Sequence, residues 1–218
     1  MFAVTATSFD SENPLTGLTL GEVVEPVVPD GWVLVELRAA ALNHHDLWSL
    51  KGVGLRPEQL PMILGCDGAG VDVDGNEVII HAVIADPDAG DGDETLDPRR
   101  SLLSERFPGT LAQRIAVPRR NVIPKPASLT FEEAACLPTS WLTAYRMLFT
   151  RAGLRPGDTV LIQGSGGGVA TAAIVLARAA GLRVWATSRS EQKRAKAQEL
   201  GAHHTFATDE RLPERVDA

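Results

Sequence analysis

A glycine-rich turn contains the residues best suited to hold a phosphate group. It follows the apolar stretch Val160–Ile162 and leads into a helix rich in small residues. Glycines let the backbone approach a phosphate closely, and the free N–H groups at a helix start face its negative charge. The strand before the turn and the helix after it favour a dinucleotide pyrophosphate site over the alternative, a flexible loop. The residues expected there are Gly164, Ser165, Gly166, Gly167, Gly168 and Val169, of which Val169 is expected to pack inward.

The end of the next apolar strand indicates which dinucleotide binds. An NAD site usually has an acidic residue there, about 20 residues beyond the glycines, which accepts hydrogen bonds from the ribose. Ser188 and Arg189 occupy that place here, and Lys193 follows one turn later. A hydroxyl group and two cations suit a 2′-phosphate, so the sequence favours NADPH over NADH. The alternative is that both cations are exposed charges at a helix start, although cations there oppose the helix dipole.

A second polar cluster, Asn43-His44-His45-Asp46, is a candidate for acid–base chemistry. Histidine titrates near neutral pH, so His44 or His45 could donate a proton to a substrate. Asp46 is expected to hydrogen-bond its own loop. The alternative is that one or both histidines are structural or exposed, because neither has a sequence partner that would prove catalysis.

Two different kinds of element position these clusters. Short strands and frequent turns over residues 1–122 predict a β-barrel-like domain. Alternating strand and helix signals over residues 123–218 predict the first half of a doubly wound parallel sheet, so the fold class is α/β plus β. Only the first half of such a sheet is present, so either the chain is a fragment of a longer protein or the second half comes from elsewhere, and we expect a fragment. The segments that support these domains are the strand Trp32–Leu42, the loop Pro61–Gly70, the hairpin Val71–Ile84, the strand Gly109–Val117, the connector Pro118–Pro126, the capping box Thr130–Glu133 and the helix Glu191–Leu200.

Composition narrows the functional classes. The formal net charge of −7 argues against a nucleic-acid groove, which needs a basic face. No apolar run reaches the roughly 18 residues that a membrane span requires, and the first residues do not resemble a secretory signal. Cys66 and Cys136 are far apart and suggest no disulfide framework, and Cys136 is expected in the core. We therefore expect a cytoplasmic protein that acts on a small molecule.

The ordered motifs resemble the medium-chain dehydrogenase/reductase superfamily, and most closely its quinone oxidoreductase-like and zinc-free alcohol dehydrogenase-like branches. The similarity extends over almost the whole chain. The residues that carry it are Ala41-Leu-Asn-His-His-Asp-Leu47, Leu64-Gly-Cys-Asp-Gly-Ala-Gly70, Gly109-Thr-Leu-Ala112, Phe131-Glu-Glu-Ala-Ala135, Leu142-Thr-Ala-Tyr145 and the turn from Gly164 to Ala170.

The resemblance implies a GroES-like catalytic domain joined to a Rossmann domain, and a homodimer. It places Asn43 where zinc-free relatives have a polar residue beside the nicotinamide and substrate, so Asn43 could orient a carbonyl oxygen. His45 matches a position used for proton relay, and Thr139 is expected near the cofactor. The implied reaction is hydride transfer from NADPH to a quinone, an enone or enal, or a carbonyl substrate. A zinc alcohol dehydrogenase with atypical ligands and a non-enzymatic cofactor-binding protein are the alternatives.

Zinc needs three protein ligands at a catalytic site and four at a structural one. The resemblance places Asn43 where zinc-dependent members have a cysteine, Cys66-Asp67 where they have a histidine–glutamate pair, and Thr139 near a further cysteine. Asparagine and threonine are poor zinc ligands. The structural zinc lobe of zinc-dependent members uses four cysteines, and this chain has only two. We therefore expect no zinc. A replacement cluster of His44, His45 and Asp46 is a weaker hypothesis, because adjacent histidines point in different directions.

Overall fold

The computed structural model describes residues 1–90 and 92–208. The chain packs into two compact units, Met1–Thr139 and Ser140–Ala218. The predicted domain limits, 1–122 and 123–218, place their boundary inside the first unit, where Val122–Pro124 pairs with Glu77–Ile80. Compact packing does not by itself fix where a domain begins or ends. The predicted domain limits therefore remain a prediction.

The described residues of the first unit form antiparallel sheets. The strands are β1 (Phe2–Ala6), β2 (Leu18–Glu22), β3 (Trp32–Ala41), β4 (Met62–Ile63), β5 (Asp67–Asp72), β6 (Glu77–Ile80), β7 (Val83–Ile84), β8 (Ser101–Leu102), β9 (Arg114–Pro118) and β10 (Val122–Pro124). A five-stranded sheet has the order β10-β6-β5-β3-β9, a three-stranded sheet has the order β2-β1-β4, and β7 pairs with β8.

Strand β3 lies at the centre of the larger sheet, between β5 and β9. Its alternating pattern buries Val33 and Val35 against Val78, Ile80 and Val117, as the sequence predicted. Among its described residues this unit has two α-helices, α1 (His44–Leu50) and α2 (Phe131–Ala135), besides short 3-10 helices. The predicted capping box of α2 is confirmed, because Thr130 Oγ1 accepts a hydrogen bond from the Glu133 N–H at 3.2 Å and Glu133 Oε2 accepts one from the Thr130 N–H at 2.9 Å.

The second unit contains α3 (Leu142–Tyr145), β11 (Thr159–Ile162), α4 (Gly168–Ala179), β12 (Arg183–Thr187), α5 (Glu191–Glu199) and β13 (His204–Phe206). π-Helical segments flank α3 at Leu137–Trp141 and Arg146–Arg151. The strands form a parallel sheet, as predicted, with the order β11-β12-β13. Helix α4 buries Ala172, Ile174 and Ala177 in the core of this unit, together with Val184 of β12.

Four local predictions are wrong. Residues 61–70 contain β4 and the start of β5 rather than a loop, because both segments find strand partners distant in sequence. The returning strand of the hairpin ends at Ile80, since β7 pairs with β8 instead. The expected connector contains β10, and Cys136 is exposed rather than in the core.

No helix within residues 1–90 and 92–208 combines the length and apolar character needed to span a bilayer.

Candidate functional site

The glycine turn lies at the carboxyl ends of β11 and β12. These strands are parallel, and two hydrogen bonds tie the turn to the end of β12. The Ser165 N–H donates to the Thr187 carbonyl oxygen at 2.8 Å, and the Gly164 N–H donates to Thr187 Oγ1 at 3.3 Å. This edge of a parallel sheet is where such folds bind ligands. Thr187 was not predicted as a site residue, although its position at a strand end is a usable signal.

Gly166 is required by its backbone conformation, and Gly168 lies against a neighbouring side chain. Gly166 has φ of +112°, and a Cβ atom there would lie 2.6 Å from the Cδ atom of Lys193. A Cβ atom on Gly168 would lie 2.5 Å from the Oγ atom of Ser140. The turn is therefore shaped by the absence of side chains, with Lys193 lying across it.

A cavity of about 570 Å³ adjoins this turn. The described residues that line it include the cations Arg189 and Lys193 and no carboxylate. The Ser165 side chain is buried, and among the described residues its hydroxyl oxygen has no hydrogen-bond partner. A buried hydroxyl without a partner is costly, so this atom is well placed to bind a ligand oxygen. The lining residues are Gln163, Gly164, Ser165, Thr187, Ser188, Arg189, Ser190, Lys193 and Thr208.

The structure thus brings together five of the residues predicted for the cofactor, namely Gly164, Ser165, Ser188, Arg189 and Lys193. A further cation was not predicted. The Arg194 guanidinium donates to the Ser188 carbonyl oxygen at 2.8 Å, which fixes the chain where β12 ends.

Four other residues predicted for the cofactor, Gly166, Gly167, Gly168 and Val169, do not line this cavity. Gly167 precedes the first residue of α4, and Val169 packs against the core of the second unit.

Thr139 takes part in a different cluster, which surrounds the carboxylate of Asp67 within the first unit. The Thr139 N–H and hydroxyl group both donate to Asp67 Oδ1, at 2.9 and 2.6 Å, and Asn43 Nδ2 donates to Asp67 Oδ2 at 2.9 Å. Asp67 is only 1% exposed. Burial raises the pKa of Asp67, and the hydrogen bonds from Thr139 and Asn43 oppose that rise.

His45 lies between a thiol group and a carboxylate. Its Nδ1 atom is 3.2 Å from the Cys66 sulfur, and its Nε2 atom is 3.1 Å from Glu105 Oε1. The hydrogen bonds with Cys66 and then Glu105 raise the pKa of His45 to about 10, and the pKa of Glu105 is lowered by the same contact. Neither Cys66 nor Glu105 was predicted as a partner of His45, because sequence separation hides contacts that the sheets create.

His44 and Asp46 have contrasting surroundings. His44 is exposed and lines an apolar cavity of about 530 Å³. Asp46 is buried and hydrogen-bonds its own loop as predicted, because its carboxylate accepts from the Asn43 N–H at 2.8 Å and from the Gly65 N–H at 3.1 Å. Burial raises the pKa of Asp46.

The residues at the zinc-ligand positions of the family do not fit a zinc ion. Asn43 presents an amide N–H group to Asp67, and Asp67 is already bound by Asn43 and Thr139. The thiol of Cys66 faces His45 and Ser104 rather than these groups. Within the described residues, no three His, Cys, Asp or Glu side chains are arranged to hold a metal. The donors are directed at each other as a hydrogen-bonded network, not at a common point.

A parallel sheet with a glycine turn at its carboxyl edge has the form of a dinucleotide-binding fold, and here an antiparallel β unit precedes it in the chain. Residues 29–127 match the family model for the alcohol dehydrogenase GroES-like domain, and residues 168–218 match that for zinc-binding dehydrogenases. The chain belongs to the medium-chain dehydrogenase/reductase superfamily, so the resemblance and the fold class predicted from the sequence are confirmed.

Three relatives illustrate this membership. A zinc-type alcohol dehydrogenase-like protein of Schizosaccharomyces pombe is 38% identical over 195 residues, which cover 85% of this chain and 56% of the relative. The crystal structure of an NAD-dependent alcohol dehydrogenase has a TM-score of 0.91 and 37% identity over 99% of this chain and 66% of the other. A quinone oxidoreductase from Thermus thermophilus, solved also in complex with NADPH, has a TM-score of 0.76 and 33% identity over 100% of this chain and 63% of the other. The chain therefore spans between half and two thirds of the length of these relatives.

Proposed function

We propose that the protein containing this chain is an NADPH-dependent oxidoreductase that transfers a hydride, without a metal ion, to a quinone, an enone or enal, or another carbonyl substrate. The observation that supports this most strongly is the cavity beside the glycine turn, where Arg189 and Lys193 lie with Ser165 and Ser188. Bound NADPH would supply the hydride and the reducing electrons. The relatives are named for NAD in one case and solved with NADPH in another, so the choice of cofactor rests on this cavity.

Four of the residues that line the cavity have a task in this proposal. The Ser165 hydroxyl group and those N–H groups of the turn that do not bond Thr187 would bind the pyrophosphate. Arg189 and Lys193 neutralise the 2′-phosphate, and Ser188 hydrogen-bonds the same ribose. Charge-assisted hydrogen bonds of this kind are about twice as strong as neutral ones, which would make the 2′-phosphate the main source of selectivity.

The polar cluster of the first unit supports reduction without a metal. Asn43 Nδ2 carries two hydrogens, and Asp67 accepts only one of them, so the other can orient a substrate carbonyl oxygen. His45, held protonated by its neighbours Cys66 and Glu105, would donate the proton that completes the reduction. His44, the third predicted catalytic residue, would line the substrate's approach.

Selective loss of 2′-phosphate binding tests the cofactor assignment. Arg189→Ala should weaken NADPH binding by roughly 10- to 100-fold, as expected when one hydrogen bond to a charged group is lost, and should leave NADH binding nearly unchanged. Arg183→Ala is the matched control, because Arg183 is an exposed arginine at the opposite end of β12. Isothermal titration of both cofactors would measure the effect. Equal losses for NADPH and NADH would contradict the assignment.

A substrate screen separates the remaining functions. NADPH oxidation by quinones, enones or aldehydes should persist after prolonged dialysis against a chelator. Loss of activity that returns with zinc would instead support a zinc alcohol dehydrogenase with atypical ligands. Cofactor binding without turnover of any substrate would support a non-enzymatic role.

The proposal includes a cytoplasmic homodimer with no nucleic-acid or membrane partner. The net charge of −7 and the two unpaired cysteines are consistent with this setting. Light scattering after size-exclusion chromatography would measure the oligomeric state directly.

A further inference from the structure

Cys66, His45 and Glu105 form a continuous series of contacts within the first unit. Cys66 immediately precedes β5, His45 is in the first turn of α1, and Glu105 follows β8. We propose that these three side chains form a reactive-thiol site, in which Cys66 is a nucleophile for small, soft electrophiles of the α,β-unsaturated carbonyl class.

The order of the contacts is the basis for this proposal. The imidazole of His45 touches the sulfur with Nδ1, at 3.2 Å, and the carboxylate of Glu105 with Nε2, at 3.1 Å. Enzymes generally activate a thiol nucleophile with an adjacent base, and a third group orients that base. Cys66, His45 and Glu105 are arranged in that order. Here the arrangement is assembled from three separate elements.

The charges around His45 favour moving the thiol proton onto the imidazole. The titratable groups that face His45 are Glu105, Cys66 and Asp46, of which Glu105 and Asp46 are carboxyl groups. Two nearby carboxylates stabilise an imidazolium ion, and an imidazolium ion stabilises a thiolate. The Ser104 hydroxyl group, 3.3 Å from Nδ1 and 3.9 Å from the sulfur, can hydrogen-bond either partner.

The covalent step balances without an external oxidant or reductant. In the reactive form His45 is already an imidazolium ion and Cys66 is a thiolate, and the thiolate sulfur attacks the β-carbon of the unsaturated carbonyl compound. A carbon–sulfur bond forms while the carbon–carbon π bond breaks to give an enolate. The enolate carbon then takes the proton from His45, which leaves a neutral thioether adduct and a neutral imidazole.

Access restricts the size of the reagent. Cys66 is 2% exposed, whereas the side chains of His45 and Glu105 are 20% and 28% exposed. Glu105 also lines a cavity of about 840 Å³. A reagent therefore approaches from the side of His45 and Glu105, and compounds of acrolein size are favoured over bulky maleimides.

The chain provides an internal control for this chemistry. Cys136 is exposed, so a Cys136→Ser variant leaves Cys66 as the sole thiol. The proposal requires no nucleotide, so its failure is independent of any failure of the proposed reductase activity.

Thiolate absorbance in the far ultraviolet, followed against pH in folded Cys136→Ser protein, tests ionisation without requiring access. At pH 6 the Cys136→Ser protein should show thiolate absorbance, which His45→Gln in the same background should remove and Glu105→Gln, the milder change, should reduce. The absence of thiolate absorbance in the Cys136→Ser protein at pH 6 overturns the proposal, as expected if the thiol donates instead to the Leu103 carbonyl oxygen 3.4 Å away.

Acrolein labelling tests the nucleophile itself. Mass spectrometry of folded Cys136→Ser protein at pH 6 should show one adduct on Cys66, formed faster than on the same protein in denaturant. Labelling that is absent, or slower than in the denatured chain, overturns the proposal even if the thiolate is observed.

Discussion

Asp67 shows how one residue can determine the chemistry around it. Its carboxylate is buried, and it directs the amide of Asn43 and the hydroxyl group of Thr139 toward itself. A buried carboxylate is tolerated only when donors satisfy it. The same three residues therefore cannot be rearranged around a metal ion without losing these bonds.

Removing one donor from this cluster should destabilise the protein. Thr139→Val keeps the shape of the side chain but removes the hydroxyl group that lies 2.6 Å from Asp67 Oδ1. We expect the free energy of unfolding to fall by about 1–3 kcal/mol, the cost of an unsatisfied buried group. Urea denaturation measures this, with the exposed Thr143→Val as the control. Equal stability of the two variants would mean that the Asp67 network contributes little.

His45 should make the stability depend on pH. Its pKa in the folded protein is raised to about 10, against about 6.5 in an unfolded chain. Taken by itself, His45 therefore binds more protons in the folded state between these values, so its stabilisation is complete below about pH 6.5 and is lost as the pH rises toward 10. Where Cys66 has given up its proton in the folded state, that loss offsets part of the proton uptake and makes the decline shallower. His45→Gln should flatten this decline, whose slope cannot exceed about 1.4 kcal/mol per pH unit for one proton.

Denaturation curves at several pH values from 6 to 10 would measure that slope. The His44→Gln variant is the control, because His44 is exposed on the same helix. Identical slopes in wild type and His45→Gln would contradict the assigned contacts of His45.

At the residue level, the sequence predicted which residues belong to the site better than it predicted their contacts. Asn43, His45 and Thr139 were identified as site residues, and the structure places Asn43 and Thr139 on one carboxylate. The pairing of His45 with Glu105 was not predictable, because 60 positions separate them and the contact depends on how α1 and the segment after β8 pack.

At the level of elements, the glycine turn is the part of the structure most constrained by its neighbours. The Lys193 side chain crosses Gly166, and the end of β12 binds the turn through Thr187. Helix α5 and strand β12 therefore fix both the shape of the turn and the cations near it.

Adjacent glycines in this turn should differ in their tolerance of alanine. Gly166→Ala places a side chain at φ of +112° and against Lys193, and should cost about 1–3 kcal/mol of stability. Gly167→Ala is the matched control, because Gly167 has φ of −95° and open space where the Cβ atom would lie. Thermal and urea unfolding would measure both. Similar losses for the two variants would show that the geometry of the turn does not limit its sequence.

The sequence predicted the elements of the second unit more accurately than those of the first. Strand–turn–helix order is a local signal, and β11, α4, β12 and α5 form close to their expected positions. In the first unit, β4, β7 and β10 are only two or three residues long and depend on partners distant in sequence. Periodicity cannot show such short strands, because their pairing is tertiary.

At the level of the whole molecule, charge is distributed unevenly. The chain carries a net charge of −7, yet the described lining of the cavity beside the glycine turn contains two cations and no carboxylate. Long-range repulsion from the rest of the protein disfavours an anion, so local contacts with Arg189, Lys193 and Ser188 must provide the affinity. Because salt screens these charged contacts, binding of the anion should weaken as the salt concentration rises.

The most direct test compares two fragments of the cofactor that differ only in the 2′-phosphate. Isothermal titration of the protein with 2′,5′-ADP and with 5′-AMP isolates this group from the nicotinamide and from any substrate. We expect 2′,5′-ADP to bind at least about 10-fold more tightly, as one or more charge-assisted hydrogen bonds provide, with the difference shrinking at high salt. Equal binding of the two fragments, or tighter binding of 5′-AMP, would contradict the assignment of this cavity to NADPH.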